Sequence, residues 1–165
     1  MRLCDIRDRS LRLVQAFGNT LSAEPADLLA TREEAAAWLH AAALLPAESG
    51  LSNSEHAALL RLRQAVLDTL AAHTDGREDA EATGRLTRAL AEGRLVVTVD
   101  AASMVTLASA ARSSYPSVVA GIAVAIAEAA AAGTWLRLKS CSGSACGQVF
   151  YDNSAAAGVR GCDAH

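Results

Sequence analysis

Residues 52–70 read SNSEHAALLRLRQAVLDTL, and this stretch decides the fold class. Ser52 with Glu55 three residues on is a capping box, a hydroxyl for the first free amides of a helix and a carboxylate reaching back. Behind it Leu59, Leu62, Val66 and Leu70 recur in steps of three and four, the stripe of a long amphipathic helix. The pattern runs out over residues 73–76. Upstream, Thr31 and Glu34 form a second capping box opening a helix that carries Ala35, Trp38 and Leu39, with a break at residues 46–50. Leu11, Val14, Phe17 and Leu21 predict a first helix over residues 10–21, joined to the next by a connector over 24–30. Downstream, Ala82, Leu86 and Leu90 mark a helix over 78–92 that Gly93 ends.

The character then changes. The β-branched runs 95–99 and 104–107, separated by residues 100–103, predict a hairpin. Pro116 suits a first helical position, and an apolar helix follows to Ala132, with Gly133 as its stop. Val118, Ile122 and Ile126 form its stripe. Gly121 and Ala125 form a small-residue strip suited to close helix approach. From Thr134 onward the pattern is short and irregular. The expected fold is mainly α (α+β): a helical N-terminal body with a β-hairpin over residues 1–133, then a small C-terminal module over 134–165.

The composition agrees. Thirty-eight of the 165 residues are alanine, which favours helix and buries little area. Six aromatics and three prolines are few for a β-sandwich. Fifteen basic against eighteen acidic side chains give a net charge of −3, which argues against a surface built as a whole to hold nucleic acid or an anionic membrane. The charged start, MRLCDIRDRSLRLV, lacks the apolar core of a signal peptide. The longest apolar run, residues 118–127, is about half the roughly 20 residues a bilayer span needs, so a buried helix is expected there. A soluble, cytoplasmic protein with no membrane partner is expected.

Cysteine placement carries the chemistry. Cys4 stands alone and reads as an inert thiol, whereas Cys141, Cys146 and Cys162 crowd the last 25 residues. In a reducing compartment such a cluster is more often metal-binding than disulfide-bonded. Cys141-x4-Cys146, fifteen residues, then Cys162-x2-His165 offers zinc four ligands for tetrahedral corners, if a β-hairpin between the two pairs brings them together. Ser142, Gly143 and Ser144 supply a tight turn, and Gly147 follows Cys146 directly. His165 is the fourth ligand in this reading; water or the terminal carboxylate are the alternatives. Against it stands simple burial of three free thiols. His40, His56 and His73 have no convergent partners and are expected to face solvent, and Trp38 is expected in the core. Asp152 and Ser154 read as a turn rather than as hydrolytic machinery. With no phosphate-cradling glycine loop and no HExxH, no enzyme is expected.

The stretch LKSCSGSACGQVFYDNS (138–154) resembles the zinc module of the bacterial CGNR zinc-finger proteins, with Cys141, Cys146, Phe150, Asp152, Ser154 and Cys162 at that family's relative spacings. FGNTL (17–21), DLLAT (27–31) and AWL (37–39) are similar, in order, to the ABATE domain that usually precedes the finger. The resemblance implies an ABATE-like domain over 1–133 and a truncated or degenerate CGNR finger, a zinc-ribbon or treble-clef-like module, over 134–165. It also implies a stress-induced transcription regulator, with DNA as the finger's partner and a ligand- or partner-sensing helical domain. The family's second pair is normally two cysteines four residues apart, followed by Gly-Asn-Arg and a basic tail. Here His165 stands where no family ligand usually lies, and the family's basic stretches are Ser154-Ala-Ala-Ala157 and Val159-Arg-Gly161. Residues 134–165 keep only Arg137, Lys139 and Arg160 against Asp152 and Asp163. Phosphate neutralisation supplies most non-specific DNA affinity, so DNA binding is expected to be weak. The alternative is a small-molecule or protein-binding module with purely structural zinc. The oligomeric state is not legible.

Overall fold

The computed structural model describes residues 3–21, 27–111, 114–143 and 146–162. These form five helices, α1 (Leu3–Asn19), α2 (Arg32–Ala41), α3 (Asn53–Asp75), α4 (Ala80–Ala91) and α5 (Ser114–Ala131). Between α4 and α5 lies an antiparallel hairpin, β1 (Leu95–Val99) and β2 (Val105–Ser109). A 3-10 turn over Trp135–Arg137 leads from α5 into a second antiparallel hairpin, β3 (Leu138–Ser140) and β4 (Val149–Tyr151). The mainly α class with small β elements is the observed one.

Both capping boxes close as read. The Ser52 hydroxyl accepts from the Glu55 amide and the Glu55 carboxylate accepts from the Ser52 amide at 2.7 Å; Thr31 and Glu34 repeat the arrangement. Leu59, Leu62, Val66 and Leu70 are all fully buried, so α3 is the axis of the core. Each such side chain contributes about 1.5–3 kcal/mol by leaving water. The helix α1 and the helix α4 pack against it, and α5 closes the core against both. By length and composition α5 could cross a membrane, but here Val118, Val119 and Ile122 are fully buried in the protein core, as the sequence predicts.

Several details differ from the sequence reading, among them Pro116, which is the third residue of α5 rather than its first, and β2, which runs on to Ser109 rather than ending at Leu107. The helix α1 begins at Leu3 rather than residue 10, because the charges of its first turns hide a helical start from a search for apolar stripes. It ends at Asn19, which leaves Leu21 outside it and 47% exposed. The tip of the first hairpin extends through Met104, because the Asp100 carboxylate accepts from the Ala102 and Met104 amides at 2.8 and 2.9 Å. Gly121 does not face a neighbouring helix: a Cβ there would meet the end of the Leu44 side chain, in the connection between α2 and α3.

A small bonded network centred on Arg63 and Asp27 ties the connector before α2 to α3. Arg63 on α3, 6% exposed, grips both carboxylate oxygens of Asp27, with one bond at 2.8 Å, and also reaches the Thr20 hydroxyl at 3.2 Å. Asp27 in turn accepts from the Leu29 amide at 2.9 Å. The Arg63 guanidinium beside it holds the Asp27 carboxyl below the usual carboxylate range, against the opposing effect of burial.

Candidate metal centre

The β3–β4 hairpin is too short to stand alone, since two-stranded hairpins are marginal in water. Here both of its outer edges are held by helix ends. On one side Asn19, the last residue of α1, pairs with the Val149 backbone as another strand would. Its Oδ1 accepts from the Val149 amide at 2.6 Å and its Nδ2 donates to the Val149 carbonyl at 3.0 Å. Gln15 donates to the same carbonyl at 3.2 Å. On the other side the Thr74 hydroxyl, near the end of α3, donates to the Ser140 carbonyl at 2.6 Å and accepts from the Ser140 amide at 3.1 Å. His73 Nδ1 donates to the Leu138 carbonyl at 3.0 Å and sets its ring edge-on to Trp135. Gly18 permits the approach on the α1 side: a Cβ there would lie 2.6 Å from Val149 Cγ2. Leu138 and Val149 are fully buried in the same core as α1 and α3.

This clamp presents the cysteines. Cys141 follows β3 directly, and its amide donates to the Gln148 carbonyl at 2.8 Å, extending the hairpin by one rung. The chain then turns, with the Cys146 amide donating to the Gly143 carbonyl at 3.1 Å, and Gly147 takes a left-handed φ of 59° that a side chain would strain. Ser144 lies outside the described residues. The first cysteine pair therefore sits in the loop of the hairpin. The sequence reading put the hairpin between the two pairs; in fact an irregular return over residues 152–162 carries Cys162 back.

Asp152 shapes that return. Its Oδ1 accepts from the Ser154 amide and hydroxyl, and its Oδ2 from Lys139 Nζ at 2.8 Å and the Val159 amide at 3.0 Å. Lys139, 3% exposed, also donates to the Ala157 and Val159 carbonyls. Every donor proton of the ammonium is thus matched to an oxygen, as a buried charge requires. The Lys139 ammonium, followed by the Ser154 hydroxyl, holds the Asp152 carboxyl far below the usual carboxylate range. Asp152 and Ser154 are the turn the sequence suggests, with Lys139 as an unforeseen third member.

The result is a cluster in which the Sγ atoms of Cys141, Cys146 and Cys162 all lie within 4.8 Å of one another, with Cys146 and Cys162 3.6 Å apart. No disulfide joins them. Around a tetrahedral zinc with Zn–S of about 2.3 Å, sulfurs stand about 3.8 Å apart, so this donor set fits a soft, thiolate-preferring metal ion. Cys141 and Cys162 are buried, and Cys146 is half-buried. The Gly143 and Cys162 amides donate to Cys141 Sγ at 3.4 and 3.5 Å. Burial pushes the Cys141 thiol up, yet these amides and the two neighbouring thiols outweigh it and hold it below its ordinary value. At Cys146 the Gln148 amide favours the thiolate, but burial and the other two sulfurs win and hold it above. Three of the four expected ligands thus converge. His165 lies outside the described residues, as do the side chain of Cys4 and Asp163.

The three other histidines do not face open solvent. His40 and His56 bond the Ser49 and Leu29 carbonyls at 2.8 Å each, and His73 does the clamping described above. Each ties a helix to a loop or strand, a role that spacing along one helix cannot reveal. Trp38 packs on the core, with its ring 5.8 Å from that of Phe17. Asn19 was not singled out as a functional side chain either, although it stands in the FGNTL stretch that carries the ABATE resemblance.

The described residues thus form a helical body with a three-cysteine module fastened to it by two helix ends. Residues 10–133 match the ABATE family, described as "Putative stress-induced transcription regulator", and the chain belongs to that family. The three cysteines beyond residue 133 fit a finger of the CGNR type. No curated protein matches the chain significantly.

Proposed function

We propose that this chain is a cytoplasmic, non-catalytic transcription regulator whose C-terminal module is closed by one structural zinc ion on Cys141, Cys146 and Cys162, with His165 as the fourth ligand. The convergence of three sulfurs within 4.8 Å carries the zinc reading. Thiolates at that spacing are strong zinc ligands, and the amides on Cys141 Sγ are the kind of surrounding bond that orients them. Metal analysis of the purified chain tests it: one zinc per chain is expected, with loss of the metal in Cys146→Ser. A protein free of zinc after purification without chelators refutes it.

On this reading the module grips DNA weakly. Its three basic side chains are already engaged: Lys139 is buried on Asp152, Arg137 donates to the Asp152 and Ser154 carbonyls, and Arg160 donates to the Asp75 carbonyl. Three phosphate contacts at most leave a dissociation constant near the non-specific range of about 10⁻⁴ M. An anisotropy titration with duplex DNA at physiological salt is expected to show no tight complex; a sub-micromolar, sequence-selective one would overturn this part. One observation favours a second reading, a small-molecule-binding body with purely structural zinc. A groove of about 330 Å³ between α3 and α4 is lined by Ala58, Ala65 and Ala89, with Arg61, Arg85 and Arg88 beside Asp68 and Glu92. It has the size and mixed lining of a site for a small polar organic molecule.

A further inference from the structure

The hairpin β1–β2 has no cover along most of its length: all five residues of β1 are exposed, as are the first three of β2. Its register places Leu95, Val97 and Val99 opposite Ser109, Leu107 and Val105. Directly opposed residues of an antiparallel pair share a face. One face of the hairpin is therefore a continuous apolar sheet of Leu95, Val97, Val99, Val105 and Leu107, and Val97, Val99 and Val105 are each 63–64% exposed. The other face is different. There Thr98 and Thr106 bond each other through their hydroxyls at 2.7 Å, beside Val96 and Ala108.

Neither strand carries a charge, a proline or a bulge, the devices that normally keep an exposed strand from associating. The five residues of the apolar face leave on the order of 500 Å² open to water, in the upper part of the range for monomeric proteins. We infer that this face is covered by the same face of a second copy of the chain, the two hairpins stacking about a twofold axis. The area supports that occupant, since joining two such faces removes about 1,000 Å² from water, where specific interfaces begin. Charge supports it too. The chain carries a net −3, yet the face itself has no charged side chain, so two copies can meet there without like charges opposed. A twofold contact needs a patch complementary to itself, and a flat array of valine and leucine on paired strands is one. The Asp100 carboxylate fixes the tip by its two bonds to turn amides, so the face is already ordered before it is covered.

Light scattering on the full-length chain, with reductant present so that no disulfide contributes, reads the result directly. At micromolar concentration a species of twice the 17.0 kDa chain mass is expected. The double variant Val97→Lys, Val105→Lys should run at the chain mass with unchanged helical circular dichroism, whereas Thr98→Lys on the opposite face should remain a dimer. Should the double variant lose helicity, Val99→Glu, near the tip, replaces it and should also run at the chain mass. A wild-type protein at the chain mass throughout, or a folded face variant that stays dimeric, overturns the inference.

Discussion

Replacing Asn19 by alanine removes the side chain that stands in for a neighbouring strand. Two bonds to Val149 are lost, at 2.6 and 3.0 Å. They are not equivalent. The Val149 carbonyl keeps Gln15 at 3.2 Å, whereas the Val149 amide faces α1 with no second acceptor among the described residues. Because the Val149 side chain is fully buried and packed against Gly18, little room is left for water to replace the amide. An orphaned buried donor costs about 1–3 kcal/mol. For a chain of this size each kcal/mol lowers Tm by about 2–4 °C, so a fall of roughly 2–12 °C is expected. Urea unfolding followed by circular dichroism measures the same loss. Asn19→Asp separates the two bonds, because a carboxylate still accepts from the amide but cannot donate to the carbonyl; it should fall between wild type and alanine in stability. If Asn19→Ala lies within about 0.5 kcal/mol of wild type, the strand-like role of Asn19 is wrong.

At Gly18, alanine gains about 1 kcal/mol of helix propensity but brings its Cβ 2.6 Å from Val149 Cγ2, a branched side chain with little rotamer freedom; a net loss of about 1–2 kcal/mol in urea unfolding is expected, and a stabilised variant would contradict it. Gly121→Ala should be close to neutral, within about 1 kcal/mol in the same assay, because the half-buried end of Leu44 can swing aside; a loss of several kcal/mol would mean a rigid neighbour there. His73 should make stability pH-dependent. Burial first, then the Lys139 charge, hold its folded value below the ordinary 6.5, against the Leu138 carbonyl, which favours the charged ring. The unfolded chain therefore takes up the proton first, so this contribution is intact above about pH 6.5 and is lost as pH falls below it. His73→Gln should flatten the difference in unfolding free energy between pH 7.5 and 5.5, and an unchanged slope would rule the residue out.

The helices were legible because their signals are local. Capping boxes at Thr31 and Ser52 act within four residues, and the α3 stripe follows from the pitch of a helix. The cysteine cluster was legible for a different reason: thiolates for one metal come in close pairs with a turn between them, and Cys141, Gly143 and Cys146 satisfy that in a row. The attachment of the module was not legible. Asn19 meets Val149 across 130 residues, Thr74 meets Ser140 across 66, and no local rule distinguishes either from an ordinary polar residue at a helix end. Lys139 was misread for the same reason. Counted by sequence it is one of three cations available to a phosphate backbone, but in the fold it is spent on Asp152, thirteen residues on.

The two-sided clamp on β3–β4 also decides where the free energy of binding a metal ion on the three cysteines would go. In a finger on a loose tether, the metal would order only its own loop, and the helices would melt at the same temperature with or without it. Here the hairpin that carries Cys141 and Cys146 is wedged between the last turns of α1 and α3, and its Leu138 and Val149 belong to the main core. Opening the helical body and releasing the cysteines are parts of one cooperative event, so a ligand of the thiolates stabilises the whole chain by mass action. Helical circular dichroism, though blind to the cysteines themselves, becomes a thermometer for their occupancy: chelator should lower the melting temperature of the helices, and added zinc should restore it.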